Sequence, residues 1–276
     1  MTQTPPPADP IQGEDDDRRF LVSTERALAL GGVFFSLYEY EDPDDESNVS
    51  FRTPALGLPA DLVTGLVNLS WSHPEQKQAV LDALTPFQII SKMWSTSVIG
   101  DSLSSTGQRE VRAVLPGAWF GQQLSLLRRN SRLRLIHPIL IDMDEKATVF
   151  SKSLLYTCDP FAVGDGLKEA LFHTNDIFDP EFQKHEDWMG LPDDTLFVWN
   201  GLEHFDPVKA KELIVRWPNA SFCLQSTNME AEDHNFTCES IEDLLDYVPA
   251  GRKADIKYVG EIQADFGTRY MVMFNK

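Results

Sequence analysis

Cysteine is scarce in this chain: Cys158, Cys223 and Cys238 are the only three in 276 residues. Three thiols at those separations make neither a disulfide framework nor a spaced metal pair, so a reducing, cytoplasmic compartment is the expectation. Long apolar runs are also missing. None approaches the roughly 20 residues of a membrane helix, and the first residues hold no apolar signal core. Neither a membrane partner nor secretion is expected, and the sequons at Asn48, Asn68, Asn219 and Asn235 are read as unused. Positive charge is short as well: 24 Lys and Arg stand against 43 Asp and Glu, a formal net charge of −19. That balance argues against bulk nucleic-acid binding, which needs a basic surface. Much of the acidic excess lies in residues 14–17 and 39–46, a tail and a loop.

What is present begins with a Pro-rich, then acidic stretch over residues 1–18 that has little to bury and is expected to be disordered. Residues 20–41 predict a helix and a strand, followed by a charged loop. Residues 61–69 and 74–84 predict helices, with Pro59 and Pro74 where first-turn proline is tolerated. Ile89, Ile90, Met93 and Trp94 fall on helical spacing within residues 87–98, and the small, polar residues 100–107 read as a linker. Residues 19–107 are therefore expected to form a mostly helical extension that lids the site, with Trp71, His73, Met93 and Trp94 facing the acceptor.

From residue 108 the pattern changes. Val111–Leu115 reads as a strand, Gln122–Asn130 as a helix, Leu133–Ile141 as a strand, and the stretch after Asp144 as a helix. A short helix near Leu167–Phe172 follows a loop holding Gly164 and Gly166. Then come a strand at Thr195–Asn200, a helix at Pro207–Trp217, a strand at Ser221–Ser226, and a helix at Ser240–Tyr247 with Ser240 as N-cap. Ile256–Gln263 and Thr268–Asn275 alternate and form a hairpin. This β-α repetition predicts a Rossmann-like, doubly wound α/β fold. Its seven-stranded sheet is mainly parallel, and the C-terminal hairpin is antiparallel because a hairpin cannot pair otherwise.

Ligands of such sheets sit beyond the carboxyl ends of the strands. Gly117 and Gly121 bracket the first strand-to-helix turn, where glycine permits positive φ and close approach of a ligand. Asp142 ends the second strand, where a carboxylate accepts from ribose hydroxyls; Asp144 can instead cap the next helix. Glycines and acid together predict a nucleoside ligand.

The stretch LPGAWFGQQLSLL, followed by ILIDMDEKATVFSKSLL, resembles the cofactor-binding motifs of class I S-adenosylmethionine-dependent methyltransferases. It is closest to a subgroup with a G-x-W-[FY]-G loop and an N-x-x-E-H motif after strand four. His173–Asp179, FVWNGLEHFDP (Phe197–Pro207), CLQSTNMEAEDHNF (Cys223–Phe236) and the closing TRYMVMFNK follow in the family's order. Leu115-Pro116 departs from the pattern, standing where an acid often contacts the methionine amino group, and Gly201 replaces a small hydroxyl residue.

The resemblance implies S-adenosylmethionine as cofactor, held by Pro116, Gly117, Ala118, Trp119, Gly121, Asp142, Met143, Asp176, Ile177 and Asn200. It implies in-line methyl transfer with Asn200, Glu203 and His204 at the reaction centre, and Glu203 or His204 as base. Gln225, Asn228 and His234 are the candidate acceptor contacts. The acceptor expected is a small molecule, or a modified nucleotide or peptide. No metal is expected, so chelator should leave activity intact. Two alternatives stand beside this: a catalytically inactive, methyltransferase-like scaffold, and a metal-dependent transferase or phosphatase using Asp142 and Asp144.

Overall fold

The computed structural model describes residues 35–41, 50–56, 62, 65–66, 73–83, 85–108, 110–130, 132–158, 170–264 and 267–276. The expectations for residues 1–18, for a helix before residue 35, for Trp71 and for the Gly164–Gly166 loop lie outside them. The chain divides into two compact units, residues 1–90 and 91–276.

In the first unit, strands β1 (Phe35–Glu41) and β2 (Ser50–Leu56) pair antiparallel. The second strand was not expected. The short helix α1 (Lys77–Ala83) continues a 3-10 turn at Pro74–Gln76, as the first-turn proline predicts. Helix α2 (Pro86–Ser105) runs from the first unit into the second. It overrides the linker reading of residues 100–107, because Ile99 and Leu103 are fully buried and tertiary packing outweighs local polarity. Gly100 sits inside this helix where a Cβ would collide with the Asn130 amide, which donates to Thr96 O at 3.0 Å.

The second unit carries the sheet. Its strands are β4 (Ala113–Pro116), β6 (Ile139–Asp142), β7 (Leu171–Thr174), β8 (Leu196–Trp199), β9 (Ser221–Thr227), β10 (Ile256–Ala264) and β11 (Gly267–Phe274). They lie in the order β10-β11-β9-β8-β4-β6-β7. The five strands from β9 to β7 are mutually parallel; β11 is antiparallel to both β9 and β10. A short parallel pair, β3 (Glu110–Val111) and β5 (Arg134–Leu135), precedes β4 and β6. The Leu133–Ile141 run is thus two strands, broken at His137 (φ 43°) and Pro138. Leu171 and Phe172 belong to β7 rather than to a helix, because they pair with Ile139 and Leu140 of β6.

Every central strand alternates. Val114, Ile139, Ile141, Phe197, Trp199, Phe222, Leu224, Val272 and Phe274 face one core. Ala113, Leu115, Leu140, Leu196, Val198, Cys223, Met271 and Met273 face the other. Period two with both faces apolar is what a sheet covered on both sides requires. Helices α2, α3 (Gln122–Arg129) and α4 (Glu145–Cys158) supply Ile99, Leu103, Leu124, Leu127 and Leu155 to the second core. Helices α5 (Glu186–Met189), α6 (Pro207–Arg216) and α7 (Ile241–Leu245) supply Trp188, Leu213, Ile214 and Leu244 to the first. In that first core Phe197, Phe222 and Phe274 stack across three strands at centroid spacings of 4.9 and 5.2 Å. Such pairs are worth ~0.5–1.5 kcal/mol each beyond their burial. Asp206 caps α6 through Val208 and Lys209 N–H, and the Asp243 carboxylate accepts from both N–H and Oγ–H of Ser240 at the start of α7.

The chain steps outward from β4 to β6 and β7, then returns to the other side of β4 with β8. The β4/β8 junction is therefore the topological switch point, and the loops leaving these two strands flank the crevice.

Candidate functional site

The loop after β4 carries unusual backbone. Gly117, Trp119 and Gly121 all have positive φ, at 58°, 46° and 69°. Trp119, as a non-glycine residue, is held there by its contacts: its N–H donates to Asp142 Oδ2 at 2.8 Å, and its ring stacks on Phe120 at 4.8 Å. Neither glycine leaves empty space on its missing Cβ. At Gly117 that Cβ would meet the Phe205 ring at 3.1 Å; at Gly121 it would meet Leu140, Leu155 and Ser151 at 3.1–3.3 Å. Gly121 thus serves the turn and the packing of β6 and α4, and Gly117 serves the turn and the packing of Phe205. Pro116 is buried, Gly117 exposed, and Ala118 half-buried with its N–H donating to Ile141 O at 3.2 Å.

Asp142 closes the opposite wall. Its Oδ1 accepts from Asp144 N–H at 3.0 Å while Oδ2 holds Trp119. A carboxylate has about four acceptor positions, so both oxygens retain capacity for hydroxyl donors. Asp144 caps α4 instead, its Oδ1 accepting from Lys146 N–H at 2.8 Å. Both acids thus accept from backbone N–H groups. Met143 is 70% exposed beside them, an uncovered apolar face at the strand end. Asp176 folds onto its own turn, with Oδ1 accepting from Phe178 N–H at 2.9 Å. Ile177 is 2% exposed and packs in the first core, so only its backbone can face a ligand.

After β8, Asn200 directs its side-chain N–H at Gln123 Oε1 (2.8 Å), leaving Asn200 Oδ1 buried without a hydrogen-bond partner. Gln123 is itself locked by Ser95 Oγ–H and by its bond to Thr96 Oγ1, so helices α2 and α3 fix the Asn200 orientation. The next turn, Leu202–His204, is a 3-10 turn that buries Glu203 and exposes His204. Glu203 Oε1 accepts from Arg269 of β11 at 3.0 Å; the same Arg269 nitrogen donates to Asn200 O at 2.8 Å.

The loop after β9 is laced to this turn. Asn235 N–H donates to Glu203 O at 2.8 Å and its side chain to His204 O at 2.6 Å. His204 Nδ1 faces Asp233, 3.2 Å from its carboxylate, and the His204 and His234 rings meet edge to face at 4.8 Å. Glu203, His204 and His234 are thereby gathered into one cluster.

The other candidates on β9 point elsewhere. Gln225 is fully buried and its amide donates to Ser91 O at 3.0 Å, an interior tie to α2 instead of an acceptor contact. Asn228 Oδ1 accepts from Thr268 N–H at 2.7 Å and pins the start of β11. Three residues of the site went unnoticed in the sequence: Gln123, Arg269 and Lys92. Arg269 was visible as a charge two before Met271 on an alternating strand, and Lys92 as a charge three after Ile89 on an apolar helix stripe.

Lys92 is 8% exposed, with its ammonium 5.7 Å over the Trp119 ring. Burial, and secondarily the Arg269 charge, push it down to about 7 from 10.5. The unfolded chain therefore holds a proton between pH 7 and about 10 that the folded chain releases, and stability rises with pH across that window. Below pH 7 both states are charged and the burial penalty is fully present. Lys92→Met is expected to remove this rise and to be more stable than the parent at pH 6. Urea titrations of both proteins at pH 6, 7.5 and 9 check it; a constant difference between them at all three would contradict it.

The fold and the crevice define a class: a Rossmann-like α/β unit with a C-terminal antiparallel hairpin and a ligand crevice at its switch point. No protein-family model matches the sequence, and no curated protein does. Among solved structures it is similar to magnesium protoporphyrin IX methyltransferase (ChlM) from Synechocystis PCC 6803 with bound SAH, at 11% identity, TM-score 0.48, covering 77% of this chain and 100% of that one. It is also similar to a SAM dependent methyltransferase from Aquifex aeolicus, at 19% identity, TM-score 0.40, covering 63% of this chain and 88% of that one. Against EvdMO1 the values are 12% identity, TM-score 0.43 and 66% of this chain, which spans only 40% of the EvdMO1 length. At these distances the likeness carries no chemistry.

Proposed function

We propose that this protein transfers a methyl group from S-adenosylmethionine to an acceptor bound at the β8/β9 ends, a small molecule or a modified nucleotide or peptide. The observation that carries the reading is the bond from Trp119 N–H to the Asp142 carboxylate, which ties the loop after β4 to the end of β6 beside the switch point. A strained loop and an acid meet there across the one crevice where this topology binds nucleoside ligands.

In this reading the ribose hydroxyls donate to Asp142, the adenine lies toward Met143 and the backbone of Asp176 and Ile177, and the homocysteine part crosses the Gly117–Gly121 loop. Asn200 contributes its unpaired Oδ1, not its amide N–H, to whatever lies against it. The acceptor side is the Glu203–His204–His234 cluster. Glu203 is buried against Arg269, and the two imidazoles are the groups of the cluster placed to accept or direct the acceptor's proton. Most of the rate would come from alignment of the nucleophile with the sulfonium methyl.

Calorimetry with S-adenosylmethionine tests the reading. Saturable binding at one site per chain is expected, shared by S-adenosylhomocysteine and absent for NAD and ATP. No heat at millimolar cofactor would overturn it and favour the scaffold alternative.

A further inference from the structure

At the edge of the sheet, β7 and α5 bring together three groups that the cofactor reading leaves unused. His173 Nε2 stands 3.1 Å from Asp187 Oδ2, and His185 Nδ1 stands 3.4 Å from the same oxygen. One donor atom from each of the three residues lies within 4.8 Å of the others. Donors about 2.0–2.1 Å from one tetrahedral ion lie roughly 3.4 Å apart, so two of the three separations already suit an ion.

The contact between His185 and Asp187 carries a further requirement. His185 caps α5: its Nδ1 accepts from Asp187 N–H at 3.2 Å, so that nitrogen bears a lone pair and the ring hydrogen is on Nε2. The lone pair and the Asp187 carboxylate are then two acceptors facing each other at 3.4 Å, a repulsive pair that a cation between them makes attractive. His173 is set for the same role. Burial pushes its imidazole down, outweighing the upward pull of the Asp187 charge, so it is uncharged at pH 7 and able to ligate. Its Nε2 hydrogen, which otherwise donates to Asp187, passes to Nδ1 on loading. Phe182 packs against both rings, at 5.2 and 6.4 Å between centroids. Lys184, the cation next in sequence, is paired to Glu181 at 2.6 Å, and Glu186 adds a second acid on α5.

We infer that His173 Nε2, His185 Nδ1 and Asp187 Oδ2 form a binding site for a zinc-class divalent ion, which clips shut the loop between β7 and α5. Two imidazoles with one carboxylate suit such an ion, and water completes the tetrahedron on the more exposed His185 side. The two histidines bracket residues 174–184, which include Asp176 and Ile177. Gln183 already ties this loop across itself, its amide donating to Ile177 O at 2.9 Å. The ion adds a stronger tie and removes loop freedom. The site stands on this geometry alone; its value as a brace for the adenine wall rests on the methyl-transfer reading. It departs from the expectation that the chain holds no metal, and it uses none of Glu203, His204 and His234.

The test titrates cobalt(II), a zinc-like probe with a visible absorption band, into the untagged full chain carrying His204→Ala and His234→Ala, stripped of metal. Removing that other imidazole pair leaves one such cluster among the described residues. One equivalent is expected to bind, with a band that zinc(II) abolishes. Losing a partner behind a ligand costs about 10–100-fold, so adding His185→Ala should weaken uptake at least about 100-fold. His185→Asn, which keeps an N-cap acceptor, should weaken it as much, separating lost ligation from a frayed α5. If the His204 and His234 background folds poorly, His185→Asn in the parent should remove one equivalent. No uptake, or uptake indifferent to both His185 substitutions, overturns the site. Zinc should also slow hydrogen exchange of residues 174–184 about tenfold, and no slowing overturns the clip. Failure of the methyl-transfer reading looks different: uptake and slowing persist while S-adenosylmethionine gives no heat.

Discussion

Arg269→Met is expected to destabilise the protein by about 3–5 kcal/mol, the range for removing one partner of a buried ion pair. Arg269 and Glu203 expose 5% and 1% of their side chains, and a single guanidinium nitrogen serves both Glu203 Oε1 (3.0 Å) and Asn200 O (2.8 Å). Methionine fills the volume but leaves an interior carboxylate without its counter-charge and the part-buried Asn200 carbonyl without its donor. Thermal and urea unfolding would show the loss. Glu203→Gln in the same chain should recover part of it, since an amide needs no counter-charge, and the double-mutant cycle would report the coupling. A loss under 1 kcal/mol for Arg269→Met would mean that water or another group already screens Glu203.

Asp142→Ala is expected to weaken S-adenosylmethionine binding at least 100-fold. The carboxylate holds Trp119 N–H at 2.8 Å and Asp144 N–H at 3.0 Å, so it shapes the loop as well as offering acceptors to the ribose. Bonds to a charged acceptor contribute about 1.5–3 kcal/mol each, and releasing Trp119 from φ 46° frees the loop to relax away from its binding shape. Asp142→Asn keeps one acceptor oxygen and should fall between alanine and parent. Calorimetry decides: binding within threefold of the parent in Asp142→Ala would remove this residue from the cofactor site.

The sheet was legible because its signal is local. Alternating apolar residues in Phe197–Trp199, Phe222–Leu224 and Tyr270–Phe274 face two cores, and that pattern survives without knowing which strands are neighbours. Asp206 and Ser240 announced their helices in the same local way. The failures lie where tertiary contact overrode composition. Residues 100–105 look like a linker, yet they complete α2 because Leu103 is buried against the sheet. Leu171 and Phe172 have no strand signal apart from their pairing with β6.

In the site, Gly117, Gly121, Asp142, Glu203 and His204 could be read from strand ends, because a doubly wound fold puts its ligand there. Their partners Gln123, Arg269 and Lys92 could not. His234 could be named from its place after the fifth strand run, but its approach to Glu203 and His204 is set by the ring contact with His204 and the Asn235 hydrogen bonds between two loops. Gln225 looks like a site residue by motif, but β9 is buried along its whole length and the Gln225 amide is tied to Ser91 O of α2. The convergence of two imidazoles on a carboxylate is a property of the folded loops and has no counterpart in spacing along the chain.

The most direct test of the account is a crystal structure with S-adenosylhomocysteine. The ligand should lie in the β4/β8 crevice, with ribose hydroxyls on Asp142, the homocysteine part over the Gly117–Gly121 loop, and sulfur toward Glu203, His204 and His234. Density elsewhere on the molecule, or an empty crevice at millimolar ligand, would contradict it.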